Sequence, residues 1–178
     1  MRMHAMAAAA AALLVTGAMA VEAQEMPKPA PEMAQLAMFE GNRTCQGKIH
    51  ATAMSPAATM TGTVMARRDL GGFFLTIEAT GRSAGMPPFE GRGYETWDPA
   101  SKQFVMFWFD NMGGFARSTS PGVKDNVMVY DGEAQMGGMT MKSRDTFTKH
   151  ADGSFTHAWA SEIGGTMTPM GEQTCKKN

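Results

Sequence analysis

The chain has 178 residues carrying 16 basic and 17 acidic side chains, for a formal net charge of -1. With no charge excess and no basic run, nothing in it recruits nucleic acid or an anionic membrane surface. Once a leader is set aside, the remaining length predicts one domain with one core.

Residues 1–23 have the three-part form of an export signal. Arg2 and His4 form a short basic start, Ala5 to Val15 an Ala-rich apolar run, and Ala18-Met19-Ala20 and Val21-Glu22-Ala23 two small-residue cleavage sites. Cleavage after Ala23 is favoured, with the first site nearly as good. The run is too short and too rich in Ala for a membrane-spanning helix, which needs about 20 strongly apolar residues. The expected compartment is therefore periplasmic or secreted.

Residues 24–31 form a Pro-rich linker. From Pro31 to Phe39, Met33, Leu36 and Phe39 recur at helical spacing between a leading Pro and the following Gly41, which predicts a short helix with one apolar face. Beyond Thr44 the period changes. Short runs of Thr, Val, Phe, Met and Trp alternate with Gly, Pro, Asp and Asn clusters, the pattern of an all-β sandwich or barrel. Strands are expected at 44–53, 60–68, 73–81, 90–97, 103–110, 115–120, 126–132, 140–149, 154–161 and 171–176. Asp69-Leu70-Gly71-Gly72, Asp98-Pro99-Ala100-Ser101, Asn111-Met112-Gly113-Gly114 and Asp152-Gly153 supply tight reversals between them.

About ten strands joined by short hairpins favour an antiparallel up-and-down barrel over residues 32–178, because closure removes exposed edges. Its first and last strands then become neighbours. Cys45 and Cys175, the only two cysteines, fall on those strands, so a disulfide would staple the seam. A metal pair or two free thiols are the alternatives, but there is no CxxC spacing and no nearby His to complete a zinc site.

A small barrel has an interior that must be filled or occupied. The strand at 103–110 is apolar on both faces, which predicts cover on both. Trp108 and Asp110 share one face, an aromatic wall with a carboxylate near the mouth. Arg92 and Tyr94 lie on the preceding strand, and Phe74, Glu78 and Arg117 complete the candidate ligand-binding set. The three charged members either cluster in the lumen or face solvent. Methionine is abundant, 19 in the chain. Met136, Met139 and Met141, with Met54, Met60 and Met65, raise soft thioether ligation of Cu(I) as an alternative. A core role fits better, since Leu and Ile are scarce and Met is an adaptable filler. His150 and His157 flank a turn and are placed to approach each other across a hairpin, while His50 lies on the first strand. No HxH, HExxH, GxSxG or phosphate-loop spacing is present, so neither a metal or haem cofactor nor a catalytic residue is assigned.

"PEMAQLAMFEGNRTCQG", "LGGFFLTIEATG", "GYETWDPASKQFVMFWFDNMG" and "YDGEAQMGGMTMKSRDTF" resemble, in the same order, segments of the bacterial domain of unknown function 1579 family. That family is similar to the calycin group of lipocalin-like barrels, and the resemblance implies a barrel without implying a reaction. Arg43 stands where lipocalin-like chains commonly carry the Trp that seals the barrel floor, which makes Met38 and Phe39 the candidates for closing it. Thr96 and Trp97 are an insertion relative to the family's Gly-Tyr-Asp-Pro form. The expected function is non-enzymatic binding of a small apolar or amphipathic molecule in the lumen. The alternatives are Met-rich Cu(I) binding, or an enzyme using lumenal Asp110, Arg92 and Tyr94.

Overall fold

The structure, a computed structural model, describes residues 26–52 and 56–178. The expected export leader and Met54 lie outside the described residues. A 3₁₀ helix at Pro31–Met38 precedes eleven strands: β1 Gly41–Ile49, β2 Ala58–Asp69, β3 Phe74–Ser83, β4 Phe89–Asp98, β5 Gln103–Asp110, β6 Phe115–Ser120, β7 Val123–Lys124, β8 Val127–Met136, β9 Met139–Lys149, β10 Phe155–Ile163 and β11 Thr166–Lys177. A one-turn 3₁₀ segment at Leu70–Gly72 joins β2 to β3.

Consecutive strands pair antiparallel, except β6 and β7. β1 pairs with β11 and β6 with β8, so ten strands close into a barrel and β7 adds a short extra strand beside β8. The expected all-β up-and-down barrel is the architecture observed. Its seam is also where the sequence places it, because Cys45 is the direct register partner of Cys175 and the two are disulfide-bonded with Cα atoms 4.1 Å apart.

Three local differences have physical causes. The N-terminal helix is 3₁₀ rather than α, with Met33 N–H donating to Ala30 O and Phe39 N–H to Leu36 O, the tight form suited to one short apolar stripe. β11 begins at Thr166, earlier than expected, because Gly164 and Gly165 at positive φ make a hairpin turn and a bulge between Trp159 and Ala160 admits Pro169 opposite Ala160. The expected double cover of Gln103–Asp110 is found on the outer face only at Val105, 6% exposed, and not further along the strand. Its inner residues Phe104 and Met106 are buried, whereas Phe107 and Phe109 are 38% and 49% exposed on the outer wall.

The helix lies across one end of the barrel. Leu36, Phe104, Met128 and Tyr130 are fully buried there, and the Phe39 ring meets Phe147 and Phe155 edge-on at 4.9 and 5.5 Å. Met38 and Phe39 are buried as expected of floor residues, but the floor is held by Arg43 itself, only 1% exposed. Its guanidinium donates to Met38 O at 2.7 Å, Phe39 O at 3.5 Å and Gly153 O at 2.9 Å, and it sits 4.9 Å over the Phe155 ring. The cation thus satisfies carbonyls at the helix C-terminus and ties the helix to the β9–β10 turn.

The disulfide spans a sequence separation of 130 residues, so its loss should destabilise by about 4–5 kcal/mol in the chain-entropy model. Urea unfolding of the oxidised protein against the Cys45→Ala/Cys175→Ala variant should show the unfolding free energy reduced by that amount, and coincident curves would remove the seam's role in stability.

Candidate functional site

Side chains alternate across each strand, so register decides which residues see the interior. Ile77, Gly93, Trp108 and Ala116 are successive partners on β3 to β6 and share the inner face. On the opposite side Ser143, Asp145 and Phe147 of β9, His157 and Trp159 of β10 and Gln173 of β11 line the same cavity, of about 230 Å³. It continues past Trp159 and Gln173 into a wider mouth of about 400 Å³, lined by Met60, Met86, Met112, Met170 and Phe89. The interior is therefore packed at the helix end and open at the other.

Two indoles dominate the walls, and glycines explain how they lie. A Cβ on Gly91 would fall 2.1 Å from Trp108 Cζ2, and one on Gly93 would fall 3.1 Å from Trp108 Cε3. The benzo ring therefore rests across the bare backbone of β4. Trp159 does the same on β11, where a Cβ on Gly171 would fall 2.4 Å from its Cζ2. Strand glycines mark such close approaches. Phe89 extends the Trp108 wall towards the mouth, its ring inclined 11° to the indole at a 6.3 Å centroid separation.

One polar cluster interrupts these apolar walls. His157 Nε2 lies 2.7 Å from Asp145 Oδ1, with both side chains mostly buried. The imidazole stacks on Phe147 at 4.3 Å and neighbours Trp159 at 5.3 Å, which fixes its plane. Ser143 Oγ is buried with no hydrogen-bond partner among the described residues. Such a group is either left at a cost or completed by a bound molecule.

The candidate residues read from sequence are divided by the wall. Trp108 lines the cavity. Asp110 follows on the same face, but its Oδ1 accepts from the Met112 and Gly114 N–H groups at 3.0 and 2.9 Å, which commits it to the β5–β6 turn. Phe74, Glu78, Arg92, Tyr94 and Arg117 fall on the outer face. Glu78 pairs there with Arg67 and Arg92 at 3.3 and 3.7 Å, and Tyr94, Phe107 and Arg117 are consecutive outer partners. A lumenal Asp110, Arg92 and Tyr94 group is therefore not assembled. Met136 and Met139 face each other at the tip of the β8–β9 hairpin, Met141 pairs with Ala134 on the same face, and the first two are exposed. His150 and His157 do not meet, since His150 bonds Thr156 on the outer face at 2.8 Å. Among the described residues no group of three His, Cys, Asp or Glu is placed to hold a metal.

Sequence reasoning passed over Asp145, Trp159 and Gln173, and weighed His157 only as a partner of His150 across a turn. The alternation His157, Trp159, Ser161 puts three such side chains on one strand face, but only register shows that the face is lumenal and that Asp145 meets it.

A second buried group is Glu95, on the inner face of β4 between Leu75 and Met106 and 1% exposed. Its Oε1 has no hydrogen-bond partner among the described residues. Burial pushes its pKa up from 4.5 to about 8, against the opposing pull of the Arg68 guanidinium.

Floor, cavity and mouth together define a small closed antiparallel barrel with an accessible, aromatic-lined interior. The chain belongs to the DUF1579 family, proteins of unknown function, whose model matches residues 28–163. Among solved structures it is similar to Rv2717c from M. tuberculosis, with a TM-score of 0.65 and 12% identity over 85% of this chain and 99% of that one. That likeness shows the fold. A de novo designed fluorescence-activating β-barrel also matches, with a TM-score of 0.40 and 12% identity over 80% of this chain and 95% of that one. No curated protein matches.

Glu95 generates a pH prediction. Between about 4.5 and 8 the folded state holds a proton on this carboxyl that the unfolded state has released, so stability falls as pH rises, by about 1.4 kcal/mol per unit, and levels off above 8. Glu95→Gln, neutral at every pH, should remove that slope. Urea midpoints of both proteins at pH 5 and pH 8.5 should show the variant gaining on the native chain at the higher pH, and an unchanged difference would disprove the assignment.

Proposed function

We propose that this protein is a non-enzymatic binding protein of the periplasm or extracellular space that takes a small apolar or amphipathic molecule into its lumen. The observation that carries the reading is a continuous apolar cavity, walled by Trp108 and Trp159 and reached through a mouth rimmed by Met60, Met86, Met112 and Met170. Ligand sites of this kind are concave and mostly apolar, with few polar groups that fix orientation. Here those groups are Asp145, His157, Ser143 and Gln173. Unbranched, polarisable thioethers at the rim suit an entrance that must adapt to what passes. The seam disulfide fits an oxidising compartment.

A dansylated fatty acid titrated into the oxidised protein should quench tryptophan emission saturably at micromolar concentration. Ala134→Phe, which fills the cavity from β8, should weaken that binding at least about tenfold while leaving the far-ultraviolet circular dichroism unchanged. Quenching that does not saturate, or that ignores the filled lumen, would sink the proposal.

A further inference from the structure

We infer that the lumen selects a planar, hydroxyl-bearing aromatic of one or two fused rings, held between the faces of Trp108 and Trp159 and oriented by the Asp145–His157 pair. This rests on the reading of the lumen as a binding site and narrows what it takes. Around the closed barrel, β5 reaches β10 through β6, β8 and β9, and β4 reaches β11 through β3, β2 and β1. The two routes have equal numbers of steps, so the β4–β5 and β10–β11 pairs stand on opposite walls. Each of these pairs carries one indole laid on glycine.

A tryptophan serving only as core would project its edge into the space and fill it. Here Gly91, Gly93 and Gly171 let both rings lie back against the backbone, which keeps the space open and turns two π faces towards it. A flat conjugated molecule matches two such faces, whereas a saturated ring of equal size gains area burial without the quadrupole complementarity. The cavity of about 230 Å³ lies below the roughly 300–1,000 Å³ of drug-sized sites, which suits one or two fused rings with any substituent leading out through the mouth.

The polar cluster sets the ligand's functional group. With Nε2 directed at Asp145, the ring's other nitrogen, Nδ1, is left for another partner, and a hydroxyl, which both donates and accepts, can pair with it. Ser143 Oγ, buried and unpartnered on the same cavity wall but four residues along β9 from the register partner of His157, offers a separate polar contact to another part of the ligand.

Isothermal titration of the disulfide-bonded protein with 2-naphthol and with its saturated counterpart, decahydro-2-naphthol, separates ring selection from simple apolar binding. 2-Naphthol should bind about tenfold tighter or better. Trp108→Leu and Trp159→Leu should each reduce that preference towards one while retaining the saturated compound. Gly91→Ala, whose added methyl has Trp108 atoms as its nearest neighbours, should lift that indole off the wall and weaken 2-naphthol. Equal affinity for the two compounds would overturn the inference and leave the lumenal binding function standing, as would binding of the dansylated fatty acid alone. Should no probe bind saturably, both fall. The native protein's preference and the Gly91→Ala effect decide the matter even if a tryptophan variant fails to fold.

Discussion

Closure of the sheet is the constraint on which the rest of this structure depends. Once β6 finds β8 and β1 finds β11, no strand edge is left open in the ring and every inner residue has a fixed set of neighbours. Alternation then sorts the chain into lumen and solvent without further choice. Glu78 and Ile77 are adjacent in sequence, yet one pairs with arginines outside while the other lines the cavity.

The two ends of the barrel are built on opposite principles. At the floor, aromatic edges interlock around Phe39 and a buried cation draws helix and turn carbonyls together, so no space remains. Along the inner cavity, Gly91, Gly93 and Gly171 beneath the indoles and Ala79, Ala116, Ala134 and Ala160 on the walls hold the space open. At the mouth, Asn111 bonds the Glu90 N–H and Pro88 O to tie the β5–β6 turn to the neighbouring loop. Rigid floor and braced rim leave the middle of the barrel open. Glu95, on the inner face of β4 between Leu75 and Met106, is a buried carboxyl whose pKa its surroundings push up, which couples the expected stability of the fold to pH.

Much of the architecture was legible in the order of residues. Alternating segments and Gly- or Asp-centred turns marked the strands, with Gln103–Asp110 and Phe115–Ser120 at their observed bounds. The two cysteines marked the seam. The site was far less legible, because period-two alternation states that residues differ in face and not which face is inside. Phe74, Arg92 and Tyr94 therefore read as well for the lumen as Trp108 did. Asp145 and His157 lie on different strands, and neither their mutual hydrogen bond nor the bare backbone beneath each indole has a signature within a single segment.

The sequence by itself determined the strand pattern, the barrel class and the disulfide, since each rests on local period, turn chemistry or the simple count of two cysteines. Tertiary structure alone decided the identity of the lumenal residues, the use of Arg43 as the floor's anchor and the opposition of two indoles across the cavity. These are relations between strands far apart in the chain, and they exist only once closure has set the register.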